Sequence, residues 1–220
     1  SQSRWTLTKV TTHDGMGNSY ETNYSYTDVN GIINGYYDRT ERIFYGFDSL
    51  NETRPDNSYI TRKFNNKNYY LNGFEISNEL RDGRGGNLYI QNIFDYRCKY
   101  ISNNIQFPYL NNKETHYYEG NNNISKFTVQ NYTYDDYGNI LTFYDNGDIG
   151  SSDDLAVNIG YVYNTAKYIV GKPNQIVVTG NGKIYRKRTC EYDSNGNLKY
   201  VHHYFDNSDE ATTSIDYYLN

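Results

Sequence analysis

The sequence predicts an all-β chain of successive antiparallel β-hairpins, laid out as an extended curled sheet, and three observations carry that prediction. Apolar and aromatic residues alternate with polar ones at period two in several stretches. Connections rich in Gly, Asn and Asp separate those stretches. Nowhere do apolar residues recur at helical spacing across three turns, and Asn, Gly, Thr and Tyr are mediocre to poor helix formers.

Taken in order, Trp5, Leu7 and Lys9 alternate with Thr6, Thr8 and Val10, and Tyr20, Thr22, Tyr24 and Tyr26 alternate with Glu21, Asn23 and Ser25. The stretch His13-Asp14-Gly15-Met16-Gly17-Asn18 joins the two runs, so they read as a hairpin. Asp82-Gly83-Arg84-Gly85-Gly86-Asn87, followed by Leu88-Tyr89-Ile90, echoes that turn. A short helix is conceivable between Ser102 and Leu110, where Pro108 limits it. Ile159, Tyr161 and Tyr163 alternate with Gly160 and Val162 as a strand. Ile176 to Thr179, Gly180-Asn181-Gly182 and Lys183 to Thr189 form a second hairpin with positive-φ turn chemistry.

Composition agrees and excludes several functions. Of 220 residues, 36% are hydrophobic, yet 28 are Tyr and 9 are Phe. Tyr buries a large ring and keeps a polar tip, so half or more of the tyrosines are expected to supply a core that Leu, Ile and Val are too few to fill. A net charge of -5 argues against nucleic acid, whose binders carry a basic patch. The one basic cluster, Arg186-Lys187-Arg188, lies within a strand pattern. No apolar run reaches membrane-spanning length, and no signal peptide is visible. Both ends read as interrupted patterns. Cys98 and Cys190 lack metal-type spacing, and two free thiols are favoured over one disulfide.

The chain also repeats itself. Tyr134-Asp135-Asp136-Tyr137-Gly138-Asn139-Ile140 aligns with Tyr192-Asp193-Ser194-Asn195-Gly196-Asn197-Leu198, each set between two strands. Tyr closes the incoming strand, Asp accepts turn amides, Gly takes a backbone conformation other residues avoid, and Asn tolerates the left-handed region. Asp216-Tyr217-Tyr218-Leu219-Asn220 reads as the front half of a third copy. Units that cannot bury a face alone stack into arrays.

Tyr-Asp-x-x-Gly-Asn resembles the YD-repeat, or Rhs, family. Asn34-Gly35-Tyr36-Tyr37-Asp38-Arg39-Thr40-Glu41-Arg42-Ile43-Phe44-Tyr45-Gly46-Phe47 is similar to the segment preceding the repeats in the shell-forming B subunits of bacterial toxin complexes and in Salmonella virulence plasmid B protein relatives. Within it, Gly35, Tyr37, Asp38, Arg39, Glu41, Arg42, Phe44, Gly46 and Phe47 are taken as the signature. The stretch Thr8 to Tyr26 and the acidic loop Asp145 to Asp154 share the likeness. It is strong over residues 4–48 and 130–205 and weak over 50–125. Residues 1–125 are therefore read as the signature segment with its following hairpins, and 126–220 as YD-repeat hairpins.

The resemblance implies a secreted or cell-surface bacterial shell segment with no catalysis of its own. Its partners would be the rest of the shell and an enclosed toxic C-terminal polypeptide, together with a translocation or host-surface partner. The family's self-cleaving aspartate site and its β-propeller find no match here. The excised piece is expected to self-associate through open sheet edges. No cofactor is implied. The competing reading is a cell-surface adhesion or carbohydrate-binding β module, with exposed Tyr stacking on sugars.

Among candidate sites, His13 lies in a turn, and His202 and His203 point to opposite faces of one strand, so they cannot share a metal. His116 has no catalytic motif near it. The loop Asp145 to Asp154 could offer calcium its oxygens, but its spacing departs from the EF-hand pattern, and a solvated acidic connection is favoured. Asp38, Arg39, Glu41 and Arg42 read as a cross-strand ion-pair ladder. Asn23, Asn51, Asn123 and Asn131 match the glycosylation pattern by chance in so Asn-rich a chain. No catalytic, cofactor-binding or metal-binding residue is expected.

Overall fold

The computed structural model of the chain describes residues 5–27, 35–102, 105–121, 123–148, 150–205 and 209–217. It divides into two compact units, Ser1–Phe127 and Thr128–Asn220. The first carries β1 (Lys9–His13), β2 (Ser19–Thr27), β3 (Tyr36–Asp38), β4 (Ile43–Gly46), β5 (Ser49–Thr53), β6 (Tyr59–Asn65), β7 (Phe74–Arg81), β8 (Leu88–Ser102) and β9 (Ile105–Tyr117). The strands from there on are β10 (Lys126–Tyr134), β11 (Ile140–Asp145), β12 (Leu155–Asn164), β13 (Ile169–Gly180), β14 (Lys183–Tyr192), β15 (Leu198–Phe205) and β16 (Asp209–Ser214). Two single turns of 3-10 helix, Tyr69–Leu71 and Thr165–Lys167, interrupt them.

Sheet order follows the chain. It runs β1-β2-β5-β6-β7-β8-β9 in the first unit and β10-β11-β12-β13-β14-β15-β16 in the second, fourteen strands of one sheet, while β3 and β4 pair separately. Every ladder resolved between neighbours is antiparallel. The all-β hairpin reading is thus shown. In β2 the alternation is literal: Thr22, Tyr24 and Tyr26 are half-buried, and Glu21, Asn23 and Ser25 are exposed. The stretch from Ser102 to Leu110 holds no helix among its described residues; β9 runs from Ile105 through Pro108, which sits opposite Cys98. Two residues later the ladder slips by one, and the extra residue is taken up as a bulge.

Within each unit the described strands of the large sheet follow one another as neighbours, joined in the first unit by the β3-β4 ribbon. Among the described apolar side chains only Tyr45 and Ile60 are buried, at 6% and 8% exposure. The expectation that tyrosines build a buried core therefore needs correction. Most of the described rings are half-covered, several by ring neighbours on the same or the adjacent strand.

Their hydroxyls explain why they are Tyr. Tyr26 donates to the Leu7 carbonyl at 3.0 Å, Tyr161 to that of Ile140 at 3.0 Å, and Tyr192 to that of Pro173 at 2.8 Å. Each ring thus lies across a strand boundary and ends on the backbone beyond it.

Truncation should separate the few covered positions from the rest. Ile60→Ala is expected to lower the urea-unfolding free energy by about 2–3 kcal/mol, and Ile184→Ala, 58% exposed, by no more than about 0.5 kcal/mol. Equal losses in urea titrations of the two variants would contradict this division.

Candidate functional site

Four hairpin turns share one construction. Asp135 Oδ1 accepts the backbone N–H of Tyr137 at 2.9 Å and of Asn139 at 2.8 Å, and its Oδ2 accepts Asn139 Nδ2 at 2.7 Å. Asp193 does the same with the amides of Asn195 and Asn197, at 2.8 and 2.9 Å, and with Asn197 Nδ2 at 2.9 Å. Asp14 repeats it with Met16, Asn18 and Asn18 Nδ2 at 2.7, 3.1 and 2.6 Å. Asp82 holds Asn87 by the backbone at 2.7 Å and by the side chain at 3.0 Å, in a loop one residue longer. In each, the Asp N–H returns to the Asn carbonyl. Gly138 and Gly196 sit at φ 87° and 83°, a conformation that Gly alone adopts without strain.

These bonds favour charged carboxylates. The Asn18 side chain and the Met16 amide hold Asp14 below its ordinary value, and the amide and side chain of Asn197 do so for Asp193. Burial pushes Asp135 up, but the Tyr163 hydroxyl, the Asn139 side chain and the two turn amides outweigh it and leave the group lowered.

In the second unit neighbouring turns are also tied together. Tyr163, from β12, donates its hydroxyl to Asp135 Oδ2 at 2.7 Å, and that bond, with burial, pushes the phenol up to about 12. Asn139 Nδ2 also reaches the Val170 carbonyl of β13 at 2.6 Å. From the 3-10 turn before β13, Lys167 Nζ donates to the Ser194 carbonyl at 2.6 Å and to Asn195 Oδ1 at 3.0 Å. Gly196 is buried, and a Cβ there would stand 3.1 Å from Ile169 Cδ1. Turn, loop and turn form one bonded row. Tyr134 and Tyr192 end the strands that enter the two turns.

The signature segment is the β3-β4 ribbon, with Tyr37 paired to Phe44. The predicted ion-pair ladder is not formed. Residues 39–42 are the turn itself, Arg39 and Arg42 are exposed, and Arg42 stands at φ 57°. Asp38 spends its carboxylate on the amides of Thr40 and Glu41, at 2.8 and 2.9 Å, while Glu41 accepts the hydroxyl of buried Tyr45. That bond, with burial, pushes Tyr45 up to about 12. Phe47 packs 4.9 Å from Tyr26 of β2 and 5.8 Å from Phe44. A Cβ at Gly35 would run into the Phe44 ring and come within 2.8 Å of the Gly46 carbonyl, so the glycine makes room for the ribbon.

The remaining candidates are in structural bonds. His13 meets Ser19 Oγ at 2.8 Å, and His116 meets Glu114 at 3.1 Å. His202 lies between Glu191, 3.3 Å from Nε2, and Thr212, 3.0 Å from Nδ1. Lys187 of the basic cluster covers the Tyr204 ring at 4.5 Å. In the acidic loop, Asp145 accepts the Gly147 amide and Gln130 Nε2, Asp153 accepts the Asp148 amide, and Asp154 accepts the Tyr144 hydroxyl. Among the described residues no three His, Cys, Asp or Glu side chains are grouped to hold a metal. Cys98 and Cys190 are free thiols. Of the third half-copy, 218–220 lie outside the described residues.

One feature of the region with weak likeness escaped the sequence reading. Arg62, Asn78, Asn92 and Thr115 pair in register across β6, β7, β8 and β9. Asn92 donates to Asn78 Oδ1 at 2.8 Å and accepts from Thr115 Oγ1 at 2.8 Å, and Arg62 reaches Glu75 at 3.3 Å. On the neighbouring row Thr61 donates to Asn51 at 2.9 Å and Gln91 to Glu79 at 3.1 Å. Adjacent rows face opposite sides of the sheet, so both faces of this unit carry polar ladders.

Fold and turns together define a hairpin-repeat β protein whose organising elements are its Asp–Asn turns. Residues 2–74 match the family model described as insecticide toxin TcdB middle/N-terminal region. The crystal structure of TcdB2-TccC3-TEV matches with a TM-score of 0.64 at 11% identity, over 90% of this chain and 16% of that one. So low an identity makes that second likeness one of fold, and this chain spans only 16% of the matched chain's length. The resemblance read from the sequence therefore agrees with a family match over residues 2–74 and with a likeness of fold over 90% of the chain. A porin-like protein from Bacteroides uniformis matches at 12% identity, over 89% of this chain and 75% of that one, but its TM-score of 0.39 carries no argument. No curated protein matches significantly.

Two outcomes test the turns. Asn139→Ala removes bonds within its turn and to β13, and should cost about 1–2 kcal/mol, more than Asn197→Ala, whose side chain among the described residues bonds Asp193 alone. Equal losses in urea unfolding would count against the inter-hairpin tie. Asp135 is lowered in the fold, so its contribution is full above the unfolded value of about 4 and fades as pH falls below it. Circular dichroism melts across that range should show a shallower acid loss for Asp135→Asn than for the unaltered chain.

Proposed function

We propose that this chain is a wall segment of a YD-repeat shell that encloses a toxic C-terminal polypeptide and helps deliver it, supplying no chemistry itself. The observation that carries the reading is that each unit is built from consecutive hairpins in one sheet. A sheet with both faces half-exposed suits a wall with an inside and an outside, and it fits poorly with a free-standing domain. The fold likeness to TcdB2-TccC3-TEV and the TcdB family match support it. In this reading residues 1–125 hold the signature ribbon and the hairpins after it, and residues 126–220 are YD-repeat hairpins. The signature residues anchor the ribbon, and Tyr134, Asp135, Gly138, Asn139, Tyr192, Asp193, Gly196 and Asn197 set the repeat turns. Partners are the rest of the shell and the enclosed polypeptide, and the parent protein is secreted or carried at the bacterial surface.

Ile184 and Tyr185 are neighbours on β14, point to opposite faces, and are 58% and 57% exposed. With Cys98 and Cys190 replaced by Ser, Ile184→Cys and Tyr185→Cys should both react with a protein-sized maleimide in the isolated chain. In the whole parent protein only one of them should react. Equal labelling of both in the parent would refute an enclosing wall.

A further inference from the structure

The hairpin of β13 and β14 closes through two residues, Asn181 and Gly182, at φ 48° and 71°. That left-handed pair is what Asn-Gly favours in a tight hairpin. Asn-Gly is also the step at which a backbone can attack its own side chain, because glycine offers no Cβ to block the approach of its nitrogen. The attack needs a glycine amide that is not held by an acceptor and an Asn side chain free to rotate.

Six Asn-Gly steps occur, beginning at Asn30, Asn34, Asn72, Asn146, Asn181 and Asn195. Both residues of the last four are described, and three of those are restrained. The Gly73 amide donates to the Asn65 carbonyl at 3.0 Å, and Asn72 Oδ1 is buried. The Gly147 amide donates to Asp145 Oδ1 at 3.0 Å, and Asn146 Oδ1 accepts the Val129 amide at 2.7 Å. The Gly196 amide donates to the Asp193 carbonyl at 3.0 Å, and Asn195 Oδ1 accepts Lys167 Nζ at 3.0 Å. At the fourth step Asn181 and Gly182 are both exposed, and among the described residues neither the Gly182 amide nor the Asn181 side chain has a hydrogen-bond partner.

We propose that Asn181 is a site of spontaneous covalent modification, converting through a succinimide to aspartate and isoaspartate. The Gly182 nitrogen gives its proton to water and bonds to Asn181 Cγ. The bond from Cγ to the side-chain nitrogen breaks, and ammonia leaves. Water then opens the five-membered ring. Opening at the side-chain carbonyl gives Asp, and opening at the main-chain carbonyl gives isoaspartate, with the backbone routed through Cβ and Cγ. The turn borders a concavity of about 380 Å³, shared with Tyr144, Ser151 and Asp154, that admits the water. Either product adds a carboxylate beside that concavity. Isoaspartate also lengthens a two-residue turn by one backbone carbon, against the pairing of Gly180 with Lys183 and of Thr179 with Ile184.

The test is to age the whole chain at mildly alkaline pH and follow peptides by mass spectrometry, with isoaspartate detected as methyl acceptance by an isoaspartyl methyltransferase. Asn181 should convert several-fold faster than Asn72, Asn146 and Asn195, and the four rates should converge in denaturant. Asn181→Gly, which keeps the turn, should abolish most of the methyl acceptance assigned to these four steps. Conversion of any of the other three at the rate of Asn181, or persistence of that signal in Asn181→Gly, would overturn the proposal.

Discussion

One carboxylate folded back over its own turn recurs at Asp14, Asp82, Asp135 and Asp193, and the rest of the sheet depends on it. In a two-layer protein a strand that slips by one residue buries polar groups against the opposite layer, and the core corrects it. Few of the described side chains are buried deeply enough to do that here. The number of residues in each connection must then be fixed locally. At Asp14, Asp135 and Asp193 the Asp–Asn clasp does this by satisfying two amides and the Asn side chain at one loop length. A slip would break three bonds at once.

With register fixed, in-plane contacts can supply stability that burial does not. The rows through Asn78, Asn92 and Thr115 and through Glu79 and Gln91 join strands side to side. Tyr hydroxyls on the carbonyls of Leu7, Ile140 and Pro173 add ties that Phe could not make. Such pairs contribute only a few tenths to about 1 kcal/mol each, so many are needed. That requirement explains a chain crowded with Tyr, Asn and Thr and poor in Leu and Val.

Hairpins and turns were legible because their causes are local. Period two marked β2 and β12, the Gly180-Asn181-Gly182 turn marked β13 and β14, and Gly with Asp and Asn marked the clasps. What stayed hidden was set by partners distant in sequence. The Asn92 row needs residues as far apart as Arg62 and Thr115, and nothing at either position announces the other. The β3-β4 ribbon misled for a related reason. Asp38, Arg39, Glu41 and Arg42 have the spacing of a strand ladder, but Arg42 at φ 57° turns the chain, and charges expected to face each other end on amides and a phenol. Counting tyrosines as core failed because composition reports ring area and not how much of it the fold covers.

Ties between turns lead one step further. Tyr163 on Asp135, Asn139 on Val170, and Lys167 on Ser194 each link a hairpin to the next one along the sheet. A hairpin therefore meets its stabilising partners in its neighbours, as in other repeat architectures. Stability then grows by addition, one interface per hairpin, and a sheet can be lengthened without enlarging a core. The cost falls on the faces, which must tolerate water. Half-exposed tyrosines and polar ladders meet that condition, since a ring with a bonded hydroxyl is stable against water.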